Sequence, residues 1–343
     1  MLSDLSLTAN LIVFAGAALV ILIAGTKMTG MADRIADRSG LGEAVTGGLL
    51  LGAATSLSGT VVSITSALDG RASLAFSNGI GGIAAQTAFL AFADLIYRRA
   101  NLEHAAADVA NLFQSTLLML MLAVPLAAYV MPEMAFWSVH PVSVVLVGIY
   151  LFGAYASVGI RQSPMWRAVD TQETRDDQPE DEEDAQKSVT SLLVPFLALM
   201  LLLGLAGYAI ARSAGALTEQ LGLSSALVGA LMTAVVTSLP ELVTTLAAVR
   251  RGALQLAVGG IIGGNTFDVL FLTLSDISYR DGSLYHAIGT GDLFWVVVGL
   301  AMTAVLLIGL ILREKSGPAN MGWESLTMLG IYGGAVGFQA WSG

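Results

Sequence analysis

The sequence predicts an all-α integral membrane protein, with ten transmembrane helices arranged as two inverted five-helix repeats. Three observations support this fold class: the composition, the number of long apolar stretches, and an internal repeat. Hydrophobic residues make up 55% of the 343 positions, charged residues 12%, and the mean hydropathy is +0.74. Soluble domains carry about 25% charged residues, so this composition favours a membrane protein over a soluble one.

Ten apolar stretches are long enough to cross a bilayer, which takes about 20 residues of helix. They lie near 10–31, 43–68, 73–97, 109–131, 138–159, 190–212, 225–249, 254–278, 288–312 and 321–341. If the N-terminus is outside, 13 of the 16 Lys and Arg residues fall on the cytoplasmic side. Cytoplasmic loops carry an excess of basic residues, so we expect both termini outside.

The long connection 160–189 has a different composition from the rest of the chain. It contains nine Asp or Glu residues between 170 and 184 and few apolar residues. A charge block of this kind is typical of a solvated linker, here a cytoplasmic one. A regulatory Ca²⁺ site is the alternative, although the ligand spacing of an EF-hand is absent.

An internal repeat relates the two halves through one constant offset along the chain, without a gap. Thr55-Ser56-Leu57 aligns with Thr237-Ser238-Leu239, and Gly81-Gly82 aligns with Gly263-Gly264. Five spans separate the copies, an odd number, so the second copy is expected to be upside down. Inverted repeats place a binding site near the bilayer midplane. We therefore divide the chain into a first repeat 1–159 with a signature segment 41–98, a linker 160–189, and a second repeat 190–343 with a signature segment 223–280.

Polar residues inside the predicted seventh span indicate a cation site. Glu241 follows Thr237 and Ser238 at helical spacing, so the three are expected on one helix face. Pro240 removes a backbone donor and leaves a carbonyl oxygen free. Ionisable groups within a membrane are costly and are functional by default. A carboxylate with hydroxyl and carbonyl oxygens suits a hard cation, whereas a role in pinning a neighbouring helix is the structural alternative.

The eighth span and the first half complete this pattern. Asn265 and Asp268 lie one turn apart after a glycine-rich stretch. In the repeat alignment, Gly59 occupies the position of Glu241, and Gln86 that of Asp268. The first half thus offers neutral oxygens, while the second half supplies both charges. Two further acids, Asp94 and Asp276, lie at span ends and are expected to be interfacial anchors.

The segments Thr237–Leu242 and Gly263–Asp268 resemble the second signature repeat of the sodium/calcium exchanger superfamily, and Thr55–Leu57 with Gly81-Gly82 resembles a degenerate first one. In that family, glutamates and flanking hydroxyls line the ion sites. The resemblance implies a cation-binding set of Glu241, Asp268, Thr237, Ser238, Thr55, Ser56 and Gln86, with Glu241 and Asp268 as the charged metal ligands. Asn265, Asn78, Ser58 and Pro240 are predicted as supporting residues. A family glutamate is expected where Gly59 stands.

The implied function is antiport of Ca²⁺ for Na⁺ or H⁺ by alternating access. The alternatives are exchange of a monovalent or different divalent cation, and a non-transporting membrane regulator. A hydrolase is disfavoured because the chain has no H-E-x-x-H or G-x-S-x-G motif. We expect inorganic cations and lipid as partners, no nucleic acid and no resident cofactor, and the inner membrane of a prokaryote as the location. The oligomeric state is left open.

Overall fold

The structure is a computed structural model that describes residues 5–39, 52–97, 100–165, 167–169, 171, 189–318 and 321–342. Residues 40–51, which open the second predicted span, lie outside these ranges. Most of the acidic segment 160–189 also lies outside them, so neither interpretation of that segment is addressed by the structure.

Regular secondary structure in the described ranges is helical, apart from one isolated bridge between Phe136 and Val139. The helices are α1 Leu7–Ser39, α2 Gly52–Thr55, α3 Leu57–Leu68, α4 Ala72–Ile96, α5 Leu102–Ala106, α6 Val109–Val130, α7 Pro141–Gln162, α8 Val189–Leu221, α9 Ser225–Leu227, a π-helical segment Val228–Thr233, α10 Ala234–Thr237, α11 Leu239–Arg251, α12 Leu254–Asp268, α13 Leu270–Ser278, α14 Leu284–Ala287, α15 Thr290–Leu312 and α16 Trp323–Ser342.

Seven of these helical stretches are long and apolar enough to cross a membrane, counting α12 and α13 as one. An eighth is added if Ser225–Thr237 and Leu239–Arg251, which meet at a bend of 47°, form one broken span. Helix α3 is apolar but shorter. The all-helical membrane class is therefore supported, while the number ten and the outward termini stay predictions.

Two features of the helices differ from the predicted spans. The predicted continuous span 225–249 contains a π-helical turn and a break at Ser238. The short helices α5 and α14 were not predicted, since each has four or five residues and shows no periodicity of its own.

The helix boundaries repeat at the offset seen in the sequence. Helices α2 and α10 end at Thr55 and Thr237, and α3 and α11 begin two residues later in each case. Helix α4 spans 72–96, and α12 with α13 spans 254–278. The same local structure thus occurs twice, once in each half of the chain.

Helix α4 lies at the centre of the molecule. In its most apolar stretch 78% of residues are buried, compared with 22% in α1 and α7. Gly81 permits a close approach here, because a Cβ atom at this position would lie 2.3 Å from Cα of Ala230 in the π-helical segment. Helices α1, α7 and α8 instead expose large apolar side chains, as lipid-facing helices do.

Asp94 and Asp276 are fully buried, so the prediction that they are interfacial anchors is wrong. Asp276 accepts hydrogen bonds from the backbone N–H of Leu284 at 3.0 Å and of His140 at 2.7 Å. Burial of a carboxylate is tolerated when hydrogen bonds satisfy its oxygens. Asp276 therefore ties the start of α14 to the first half of the chain.

Asp94 makes the corresponding contacts with the roles of the two halves exchanged. It accepts from the N–H of Leu102 at 2.7 Å and of Gly322 at 2.9 Å. Leu102 and Leu284 are equivalent in the repeat alignment, and so are His140 and Gly322. Each half thus supplies a buried carboxylate that receives a backbone N–H from the other half.

We expect Asp276→Ala to destabilise the protein by at least about 2 kcal/mol, because two buried backbone N–H groups would lose their acceptor. The measurement is the thermal unfolding midpoint in detergent. Asp281→Ala removes an exposed carboxylate nearby and serves as the control. Equal midpoints for the two variants would contradict the role assigned to Asp276.

Candidate cation site

Two helix breaks place polar residues at the centre of the molecule. Ser56 separates α2 from α3, and Ser238 separates α10 from α11, with nearly the same backbone angles (φ −85°, ψ 2° and φ −95°, ψ 4°). Such breaks are tolerated at membrane depth where the backbone is buried in protein or lines a cavity. Both serines are buried.

The break changes the predicted relation of Glu241 to its neighbours. We expected Thr237, Ser238 and Glu241 on one face of one helix. The single helix is wrong, because α10 ends at Thr237 and α11 begins at Leu239, but the three residues still line one cavity. Pro240 instead occupies the first turn of α11, where its missing N–H leaves no helical bond unmade. The Thr237 hydroxyl donates to the carbonyl of Ala234 at 3.2 Å.

Asp268 is held by side chains from the first half. The Ser56 hydroxyl donates to its Oδ1 at 2.5 Å, and Gln86 Nε2 donates to its Oδ2 at 2.7 Å. Gln86 Nε2 also lies 3.2 Å from the Ser238 hydroxyl oxygen. Hydrogen bonds to a carboxylate are stronger than those between neutral groups, so this network ties α4 and the α2–α3 break to the end of α12.

Glu241 is the second buried carboxyl group of the site. It is hydrogen-bonded by the Thr55 side chain, whereas its Oε2 has no hydrogen-bond partner among the described residues. Burying a carboxylate without compensation is strongly unfavourable. A positive charge or a proton is therefore required at this position.

A small cavity lies between these groups, with a volume of about 10 Å³, close to the room needed for one water-sized sphere. It is lined by Ser56, Gly59, Asn78, Gly82, Gln86, Thr237, Ser238, Glu241, Asp268 and Phe271. None of these residues is basic. Three buried acceptors at the cavity have no partner in the described part of the chain: Oε2 of Glu241, Oε1 of Gln86 and Oδ1 of Asn78. The lining thus presents free oxygens to whatever occupies it.

The predicted set is largely brought together. Six of the seven predicted cation ligands line the cavity. The seventh, Thr55, lies outside the lining and is hydrogen-bonded to Glu241.

The supporting residues take different places. Asn78 lines the cavity and donates to the Gly59 carbonyl at 3.1 Å. Asn265 lies outside the lining and donates to the Thr87 hydroxyl at 3.1 Å. Ser58 is also buried outside the lining. Pro240 packs against α1, since a Cβ atom on Gly25 would lie 2.4 Å from its Cγ.

Phe271 is a lining residue that the sequence reasoning missed. A Cβ atom on Gly59 would lie 2.7 Å from Cε2 and 3.1 Å from Cζ of its ring. The ring therefore fills the space where the side chain of the expected glutamate would begin. The absence of that glutamate was visible in the sequence, but the residue that replaces its volume comes from a distant helix.

The described residues contain no group of three or more His, Cys, Asp or Glu side chains placed to hold a metal ion. A cation here would take two carboxylates and complete its coordination with neutral oxygens. Ca²⁺ takes six to eight oxygen ligands, and amide and hydroxyl oxygens of the lining can contribute to such a set.

Comparison with known proteins shows which proteins this chain is similar to. The sequence profile described as "Sodium/calcium exchanger protein" matches residues 9–159 and 191–341. A curated relative, the sodium/calcium exchanger MaX1 of Methanosarcina acetivorans, is 31% identical over 115 residues, which is 33% of this chain and 31% of MaX1. The alignment thus spans about a third of that relative's length.

Solved structures share the fold over nearly the whole chain. The H⁺/Ca²⁺ exchanger CAX superposes with a TM-score of 0.68 at 14% identity, covering 96% of this chain and 85% of CAX. The sodium-calcium exchanger NCX_Mj, soaked with 10 mM Na⁺ and zero Ca²⁺, superposes with a TM-score of 0.58 at 18% identity, covering 97% and 99%. At such identities the likeness concerns the fold.

We expect Gly59→Ala to destabilise the protein by about 1–3 kcal/mol, because the added methyl group overlaps the Phe271 ring. The same substitution in a Phe271→Ala background should have little effect, since the ring is gone. Thermal unfolding of the two single variants and the double variant measures this coupling. Gly260→Ala is the control, because a Cβ atom there meets no other residue within 4 Å. Additive effects at positions 59 and 271 would contradict the contact.

Proposed function

The chain belongs to the sodium/calcium exchanger family, and on that premise we propose that it is a secondary antiporter that exchanges Ca²⁺ for Na⁺ or H⁺ by alternating access. The family consists of membrane exchangers, and several apolar helices agree with an integral membrane protein. The observation that carries the proposal is the meeting of two buried carboxyl groups, Glu241 and Asp268, with neutral oxygens of the first half at one cavity.

The charge of the site supports exchange. The carboxylates of Glu241 and Asp268 are neutralised equally well by one Ca²⁺, two Na⁺ or two H⁺. Occupants that neutralise the same two charges compete for them, and competition couples the movement of one ion to the return of the other. Because Asp268 takes its hydrogen bonds from Ser56 and Gln86, movement of one half against the other would alter the site directly.

The proposal includes the topology expected from the sequence. Ten spans, with repeats at 1–159 and 190–343 on either side of the linker 160–189, would put the cavity near the bilayer midplane and both termini outside. An odd number of spans between the copies makes the repeats inverted, which is the arrangement that alternating access uses. The proposed location is the inner membrane of a prokaryote.

Glu241→Gln should reduce Ca²⁺ flux driven by a Na⁺ or H⁺ gradient in reconstituted vesicles to the level of empty vesicles, because the isosteric amide removes one of the two charges. Glu314→Gln, at an exposed position, should transport like the unchanged protein. Undiminished flux in Glu241→Gln would refute the assignment of the site.

A second candidate is exchange of a monovalent or a different divalent cation. It is favoured by Gly59, which leaves the site with one carboxylate fewer than the family pattern. Fewer charges weaken the attraction for a divalent ion, by an amount that depends strongly on the local dielectric constant. A regulator that binds a cation without transporting it is the further alternative.

Ion-dependent thermal stability separates these candidates. A ligand present at 100 times its Kd stabilises the folded protein by about 2.7 kcal/mol. We expect millimolar Ca²⁺ to raise the unfolding midpoint of the unchanged protein and to leave that of Asp268→Asn unaltered. A shift with Na⁺ or another metal ion, and none with Ca²⁺, would replace the calcium assignment. A Ca²⁺ shift without any flux in vesicles would indicate a regulator.

A further inference from the structure

A second buried acidic cluster lies away from the cation cavity, at the junction between α5 and α16. Glu103 in α5 is 2% exposed, Asp94 at the end of α4 is fully buried, and Glu324 in the first turn of α16 is 6% exposed. Oε1 of Glu103 accepts a hydrogen bond from the Ser325 hydroxyl at 3.1 Å. Asp94 uses both its oxygens on backbone N–H groups. The antiport mechanism proposed above uses none of these groups.

Two carboxyl groups and one amide group lie around Gly322. A Cβ atom built on Gly322 would lie 2.8 Å from Oε2 of Glu324, 3.2 Å from Oε2 of Glu103 and 3.5 Å from Cγ of Asn101. Oε2 of Glu103 and Oδ1 of Asn101 are both buried and lack a hydrogen-bond partner among the described residues. Both atoms are acceptors when Glu103 is ionised, so neither can satisfy the other. A proton on Glu103 would convert one of them into a donor.

The other half of the chain shows which protonation state this position suits. In the repeat alignment, Glu103 corresponds to Tyr285 and Ser325 corresponds to Ser143. The hydroxyls of Tyr285 and Ser143 are hydrogen-bonded at 3.0 Å, and Ser143 also donates to Asp276. The equivalent junction is therefore built around a neutral O–H group beside a buried aspartate. A protonated Glu103 reproduces that arrangement, and an ionised Glu103 places a second negative charge beside Asp94.

Other titratable groups face this cluster from the neighbouring elements. His104 follows Glu103 in α5, and its Nδ1 lies 2.6 Å from the Arg313 carbonyl oxygen. The Arg313 guanidinium, just after α15, donates to the backbone carbonyls of His104 and Val169. Lys315 lies close by, and its backbone carbonyl accepts from the N–H of Asn101. The positively charged guanidinium of Arg313 thus hydrogen-bonds to backbone carbonyl oxygens.

We propose that Glu103 is a proton-binding site separate from the cation cavity, and that its proton stabilises the junction of α5 with α16. The bound proton is carried on a carboxyl oxygen of Glu103 and completes the hydrogen bonding beside Gly322. Loss of the proton leaves a buried carboxylate next to Asp94 and Glu324 and weakens this junction between the two halves.

The surroundings of Glu103 give the pH range of this effect. Burial first, and the neighbouring carboxylates of Asp94 and Glu324 in addition, raise the pKa of Glu103 from 4.5 to about 8, against opposing hydrogen bonds. The folded protein then binds more protons than the unfolded chain between these two values. The contribution to stability is fully present below about pH 4.5, decreases as the pH rises, and is lost above about pH 8.

The test is the thermal unfolding midpoint of the full-length protein in detergent from pH 5 to pH 9. Glu103→Gln is neutral at every pH. Its unfolding midpoint should equal that of the unchanged protein at pH 5 and lie a few degrees higher at pH 9. Tyr285→Phe is the matched control at the equivalent position, and it should lower the midpoint by the same amount at both pH values. A constant difference between Glu103→Gln and the unchanged protein across the range would overturn the proposal.

Infrared difference spectra provide a direct reading of the proton. The unchanged protein should show a protonated-carboxyl band at neutral pH that is missing in Glu103→Gln, and Ser325→Ala should move its titration to higher pH by removing a donor to the ionised form. An identical band in the Gln variant would be contrary evidence. So would a titration that shifts with added Ca²⁺ or Na⁺, because it would mean that a metal cation is held there.

Discussion

The structure depends on the compensation of negative charge in an apolar interior. Glu241 and Asp268 are buried side by side, and the residues that line the cavity between them supply hydrogen bonds but no positive charge. Neutral donors from Ser56 and Gln86 reduce the desolvation penalty of Asp268 without cancelling it. The site is therefore stable only with an ion or protons bound. This requirement links the electrostatics of folding to the occupancy of the site.

Much of this arrangement could be predicted from the sequence, because the repeat carries polar residues in register. The alignment of Thr55–Leu57 with Thr237–Leu239 identified two equivalent polar segments, and the charged pair Glu241 and Asp268 followed from the cost of placing acids in a membrane. The all-helical class followed from composition. Periodicity could not show the break at Ser238 itself, since Pro240 fits a kinked helix and a new helix equally well.

The residues that were missed or misassigned depend on contacts between distant segments. Phe271 approaches Gly59 from the opposite half of the chain, and apolar character alone gives no sign of it. Asp94 and Asp276 looked like interfacial residues because they lie near span ends beside Tyr and Arg. Their actual partners include backbone N–H groups of the opposite half, and backbone groups leave no trace in a sequence pattern.

The Phe271 ring lies where an acid was expected, and the absence of that acid determines how the proposed exchange would respond to the membrane potential. In the proposed antiport cycle, one Ca²⁺, two Na⁺ or two H⁺ would neutralise the two carboxylates, so each loaded form of the protein would be electrically neutral. Moving an elementary charge across 100 mV changes the free energy by about 2.3 kcal/mol, but neither neutral form carries one. Exchange at this site would therefore be driven by the concentration gradients of the two ions alone, and its direction would not depend on the membrane potential.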